Sequence, residues 1–132
     1  MRQGIVIDTN ILVNSLRRGS DNRAKSRKLL KDVYMGRYCV YVSSEIEDEY
    51  VDVLSRPQLK VSRFKKAIWF AWMRTNAIYI EPRPSTQQQV QMKDEDDRIF
   101  FDVAKCVNAK LITRNVKDYP IHELITSISE LY

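Results

Sequence analysis

"GIVIDTN", residues 4–10, closes a short apolar run on an aspartate, a threonine and an asparagine. A buried strand ordinarily gives way to glycine or to a helix cap. An acid at that point, Asp8, is either the cap itself or one member of a site built where strands end. The rest of the chain decides between these by its alternation. A helix is expected from about Asn10, and another over 21–36, where Leu29, Leu30, Val33 and Tyr34 recur at helical spacing before Gly36. "YCVYV", 38–42, reads as a strand, and "SSEIEDEYVDVLSRP" as a helix with Ser44 and Glu47 in capping-box register. A helix from Ser62 to about Thr75, a strand at 77–81, a proline loop, the helix "DDRIFFDVAKCV", the strand "AKLIT" at 109–113 and a tail with one helical turn and one extended piece complete the series. Alternation of this kind predicts an α/β domain with a mostly parallel sheet. Ligand sites in such sheets form outside the carboxyl ends of the strands, which gives Asp8 its address.

The 132 residues suffice for one domain with a real core. The longest apolar stretch, "AIWFAWM" at 67–73, is hemmed by Lys66 and Arg74 and is far short of a membrane span. "GIVI" is too brief for a signal sequence, so a cytoplasmic protein with no membrane association is expected. Cys39 and Cys106 have no zinc-site spacing and read as small core residues. A net charge of +5 favours a polyanionic partner such as nucleic acid. The basic residues cluster at 17–18, 23–31 and 62–66, and the acids at 45–49 and 94–97.

Elimination narrows the chemistry. With glycine only at 4, 19 and 36, no glycine-rich phosphate loop exists. The single histidine, His122, lacks a nucleophile-elbow serine and reads as a surface or loop residue. Four carboxylates remain, each from a separate segment: Asp8, Glu49, Asp97 and Asp118. Singly each has an ordinary explanation, as a helix cap for Asp8 and Asp97, a solvated helix position for Glu49 and a turn former for Asp118. Brought to one edge they would repel and resist ionisation unless a cation sat among them. Oxygen ligands alone select a hard ion, Mg²⁺ or Mn²⁺, able to activate water against a phosphoryl group. Asp102 lies about 140° around its helix from Asp97 and is left out of this set.

At these residues the chain resembles a known family. "VIDTN", "SSEIEDEY" and "DEDDRIFFDVAKCVNAKLITRNVKDY" are similar, in order and over nearly the whole length, to the PIN-domain ribonucleases, in particular the VapC-like toxins of bacterial toxin–antitoxin pairs. The resemblance implies a three-layer α/β/α fold with a central parallel sheet, and endoribonuclease activity dependent on Mg²⁺ or Mn²⁺. It also implies a homodimer and an antitoxin protein that occludes the site. By motif, Asp8, Glu49 and Asp97 match the metal ligands, with Glu45 the alternative to Glu49 should the register slip by a turn. The family's last aspartate is replaced here by Asn115, with Asp118 three residues on. Thr9, Asn10 and Thr113 are expected to hold the ligands by hydrogen bonds, and Asn115 to complete the pocket with Asp118. Arg17, Arg18, Lys25 and Arg114 are candidates for holding RNA phosphates.

In "RFKKAIWFAWMR", Phe64, Ile68, Ala71 and Trp72 form one apolar face, and the spread to Trp69, Phe70 and Met73 suggests a second covered side, supplied by a twin subunit. The rival from another class is a non-catalytic RNA-binding module with a degenerate site, a reading that Asn115 keeps open. An aspartate-nucleophile phosphatase is disfavoured because Asn10 stands where a second carboxylate is wanted.

Overall fold

Ile5, Val6 and Ile7 are each 0% exposed. Successive strand side chains point to opposite faces, so this strand is covered on both sides. The computed structural model describes residues 2–19 and 23–132. Its strands are β1 (Gln3–Ile7), β2 (Tyr38–Val42), β3 (Ile78–Tyr79), β4 (Lys110–Thr113) and β5 (Ile125–Ser127). They form one sheet in the order β3-β2-β1-β4-β5, and every pairing is parallel. The chain steps outward from β1 to β3, returns, and steps the other way through β4 and β5. Direction therefore reverses between β1 and β4, the place where ligand crevices open at the carboxyl edge of such sheets. Ile7 lies opposite Ile112. Asp8 and Thr113 follow them at that edge, with the Asp8 amide donating to the Ile112 carbonyl at 3.0 Å.

The helices are α1 (Thr9–Leu16), α2 (Ala24–Tyr34), α3 (Ser44–Leu54), α4 (Arg63–Asn76), α5 (Arg98–Val107) and α6 (Ile128–Leu131). Helix α5 packs on β1, β2 and β4, while α1 packs on β4, α2 and α3, which gives the three-layer α/β/α arrangement. Asn108 ends α5 in the left-handed region, at φ 55°, a stop that asparagine tolerates better than most residues. Gly36, at φ 77°, does the same just beyond α2. Asp21 and Asn22, the expected opening of α2, lie outside the described residues.

Several expectations shift in detail. The cap of α3 is Ser43, whose Oγ accepts from the Ile46 amide at 3.1 Å. Ser44 instead gives its hydroxyl to Glu81 at 2.7 Å. The expected strand at 77–81 shrinks to two residues at the sheet edge, because Pro82 follows and neither Ile78 nor Tyr79 is covered. Cys106 is exposed and Cys39 half-buried, so neither is a core residue as expected. His122 sits in a turn, half-buried, accepting from the Leu124 amide and meeting the Phe101 ring edge-on.

Helix α4 reverses the expected faces. Its core stripe is Trp69, Phe70 and Met73, whereas Phe64 is 76% and Ile68 42% exposed. Both stripes have helical spacing. The one that carries Trp69 is chosen because that ring meets Tyr50 edge-on at 6.1 Å, and Tyr50 in turn lies 6.0 Å from Phe100. Trp69→Ala should therefore cost about 3–5 kcal/mol in urea unfolding, and Phe64→Ala within about 0.5 kcal/mol. Equal costs would mean that the faces are misassigned.

Candidate active site

Asp8 is 6% exposed and does two jobs. Its Oδ1 caps α1, accepting from the Asn10 amide at 3.3 Å. Its Oδ2 accepts from the hydroxyls of Thr113 and Tyr119, both at 2.9 Å, and from Asn10 Nδ2 at 3.4 Å. Thr113 Oγ1 also accepts from Asn10 Nδ2 and from the Asn115 amide, and Asn10 Oδ1 accepts from the Arg114 amide at 3.2 Å. One carboxylate thus ties the ends of β1 and β4 together. Burial pushes its pKa up; the Thr113, Tyr119 and Asn10 hydrogen bonds oppose that, and the nearby Asp118 adds to it. Since Oδ1 holds a single long bond, it keeps a lone pair for another ligand. The hydroxyl of Thr9, expected among the supports, makes no hydrogen bond among the described residues.

Asp97 precedes α5 but its side chain caps nothing. The capping in this segment falls to Asp94, whose Oδ1 accepts from the Asp96 amide at 3.0 Å. Asp97 is half-buried, and its pKa is pushed up to about 7, by burial first and then by Asp8, Asp94, Asp118 and Asp96. Asp118 therefore acts electrostatically on both Asp8 and Asp97. It is oriented by Asn115, whose Nδ2 donates to Asp118 Oδ1 at 3.0 Å. Glu49 is raised too, by burial and then by Asp96, Asp52 and Asp94. It lines a cavity of about 450 Å³ with Glu45, Asp48, Asp52 and Asp96, and neither Asp8 nor Asp97 belongs to that cavity. The acids thus form an inner group, Asp8, Asp97 and Asp118, and an outer rim carrying Glu49. An oxygen-only, mutually repelling donor set suits a hard divalent cation. Among the described residues, no three such groups stand ready-made as a metal cluster.

The neighbouring cation is engaged elsewhere. Arg98, 7% exposed, donates to both Glu95 carboxylate oxygens at 2.7 and 2.8 Å, to Ser85 Oγ at 2.9 Å, to the Thr86 carbonyl and to Gln87 Oε1 at 2.6 Å. Ser85 in turn donates to Asp102 through its hydroxyl and its amide. The guanidinium so fastens the proline loop to the start of α5. Of the candidate phosphate binders, Lys25 and Arg114 share one polar cavity. Arg17 and Arg18 do not share it: they follow the far end of α1, whose eight residues rise about 12 Å away from Asp8. Their expected nearness to the site is corrected by the direction of that helix.

Tyr119, which the sequence reading missed, is 4% exposed and donates to Asp8, its pKa driven far up by burial and by the charges of Asp8 and Asp97. Its place directly after Asp118 was the available signal. Asp94 and Asp96, taken only as members of an acidic run, contribute to the fields at both Asp97 and Glu49.

A family model described as the PIN domain matches residues 4–117. No curated protein sequence matches the chain. Among solved structures, the chain is similar to a chain in the crystal structure of VapBC2 from Rickettsia felis bound to a DNA fragment from their promoter. That likeness has a TM-score of 0.59 and 16% identity, and covers 95% of this chain and 97% of the other. It is a likeness of fold.

The raised pKa of Asp97 fixes a sign. In metal-free protein the fold disfavours ionised Asp97, so stability is lost as pH rises from the ordinary carboxylate range through about 7. Asp97→Asn should raise stability at pH 8 by about 1–2 kcal/mol, the full electrostatic cost being cut by solvent at this half-exposed position. The gain should shrink as the pH falls from about 7 and be gone below about 4. Urea unfolding in chelator across this range measures it; a pH-independent difference would place Asp97 outside the acidic field.

Proposed function

The chain belongs to the PIN-domain family, and from that premise we propose that it is a divalent-metal-dependent endoribonuclease, the toxin of a toxin–antitoxin pair. The observation that carries the reading is the convergence of fields from Asp8, Asp94, Asp96 and Asp118 on Asp97, a repulsion that a bound cation relieves. Asp8, Asp97 and Asp118 would hold Mg²⁺ or Mn²⁺, with Glu49 acting from the outer rim. The ion supplies Lewis-acid stabilisation of phosphoryl charge and a water of lowered pKa. The chain's own part is positional. Thr113, Tyr119 and Asn10 hold Asp8 rigid, Asn115 orients Asp118, and Asp97, whose pKa is about 7 in the metal-free protein, would give up its proton as the cation binds. RNA is the proposed substrate, and its phosphates suit the net charge of +5.

The toxin assignment draws support from the motif resemblance and from the shared fold with a chain of VapBC2. It carries with it a cognate antitoxin as partner and a cytoplasmic location; no helix among the described residues is long and apolar enough to cross a membrane. A homodimer is proposed on the exposed Phe64 and Ile68 of α4. A second reading, an RNA-binding module without catalysis, is favoured by the neutral Asn115 and by the lack of a ready-made metal cluster among the described residues.

Cleavage of single-stranded RNA separates the two. With Mn²⁺ the protein should cut, chelator should abolish cutting, and Asp8→Asn or Asp97→Asn should reduce it by at least about a hundredfold, Glu49→Gln by about tenfold. Equal cutting by all four proteins would expose a contaminating nuclease, and RNA binding with no cutting would establish the module reading. Light scattering after gel filtration tests assembly: the protein should run as a dimer and Phe64→Glu as a monomer. A monomeric parent protein refutes the dimer.

A further inference from the structure

Beside α1 lies a second polar feature of opposite character. A cavity of about 360 Å³ is lined by Asn14, Lys25, Ser26, Arg114 and Ser129, with no acid among the described residues that line it. Its place is set by the acidic edge. Asn10, which braces Asp8, and Asn14 are one turn apart on the same side of α1, and Arg114 is tied to Asn10 through its amide. The cavity therefore begins one helical turn beyond the buried carboxylate.

Three independent features converge on it. Lys25 and Arg114 are exposed and bring two positive charges. The first residues of α2, Ala24, Lys25 and Ser26, line the same space, and the N-cap residue of that eleven-residue helix offers no side-chain cap. First-turn amides that their N-cap residue leaves uncapped favour an anion. Finally, Asn14 is 6% exposed, and its Oδ1 accepts no hydrogen bond among the described residues. A buried carboxamide oxygen without a donor calls for a hydroxyl or an N–H. Anion recognition and an unmet acceptor side by side describe a ligand that is both phosphate and alcohol.

We infer that this cavity is a subsite for the ribose–phosphate backbone of a single RNA strand: a phosphate rests on Lys25, Arg114 and the first turn of α2, and a 2′-hydroxyl donates to Asn14. The inference rests on the nuclease reading only in taking the strand to lie across the acidic edge. A deoxyribose strand offers the phosphate but no hydroxyl, so Asn14 is the residue that distinguishes the two sugars. Lys25 and Arg114 supply affinity without sequence preference.

Fluorescence anisotropy with a labelled RNA octamer and the matching DNA, in chelator so that nothing is cut, tests this. The wild-type protein should prefer RNA by roughly five- to tenfold, and Asn14→Ala should bring the ratio to about one. The double variant Lys25→Gln/Arg114→Gln should bind RNA at least about tenfold more weakly and lower the slope of log affinity against log salt by about 0.7, one phosphate contact's worth. Thermal melts matching the wild type would show that the variants fold; both substituted cations are on the surface. Absence of RNA binding by the wild type, or unchanged affinity and slope in the double variant, overturns the subsite. An unchanged RNA preference in Asn14→Ala overturns the role of that residue. Inorganic phosphate competing as strongly as RNA would mark a site for the free anion and overturn the backbone assignment. Cleavage is scored separately with Mn²⁺. Binding that depends on Lys25 and Arg114 without cutting refutes the nuclease reading and leaves the subsite standing, whereas cutting without that dependence does the reverse.

Discussion

A carboxylate kept almost out of water, at the point where the sheet reverses its winding, is the constraint around which this molecule is arranged. Burying Asp8 disfavours its charge, and the cost is offset in part by donors drawn from three places in the chain: Asn10 on α1, Thr113 at the end of β4 and Tyr119 beyond it. Those bonds also join the first and fourth strands at their carboxyl ends, so the same contacts that charge the site help to close the fold. The strand order makes this possible by bringing residues more than a hundred positions apart to one edge.

The neighbouring acids add a second constraint that works against the first. Among the described residues Asp97 and Asp118 have no comparable set of donors, and the Asp97 pKa is raised to about 7 by burial and then by the charges around it. Among the described residues the charged groups that act most on Asp97 are all acids, so negative potential is concentrated in one place. One turn further along α1 the sign changes, with Lys25 and Arg114 around a cavity that no described acid lines. The helix acts as a spacer between a region suited to a cation and a region suited to an anion.

Much of this could be read from residues alone, and what could not has physical reasons. Asp8 at the end of a buried strand, and strand–helix alternation, lead directly to a parallel α/β sheet with a site at its carboxyl edge. From the residues, Asp8, Glu49, Asp97 and Asp118 are expected at one edge because each follows a strand or sits near a helix start. Asp8, Asp97 and Asp118 do act on one another's ionisation. Position on a helix does not reveal that the acids acting on Glu49 are Asp96, Asp52 and Asp94. Helix α4 offered two stripes of valid spacing, and only the ring of Tyr50 on another helix chose between them. Arg17 and Arg18 looked near Asp8 along the chain, but α1 carries them to its other end. Tyr119 only closed a motif and Asn14 stood in none; their significance comes from partners, or the want of one among the described residues, that appear only in three dimensions.

Arg98 adjoins Asp97 in sequence and has the charge and reach to neutralise it. It is instead bound on every side by Glu95, Ser85, Thr86 and Gln87, inside the proline loop. An internal cation that swung onto the acids would leave the protein sealed in a resting form of its own making. Locking the guanidinium into the scaffold prevents that self-quenching, so the attraction at the strand ends is reserved for whatever positive species diffuses in from solution.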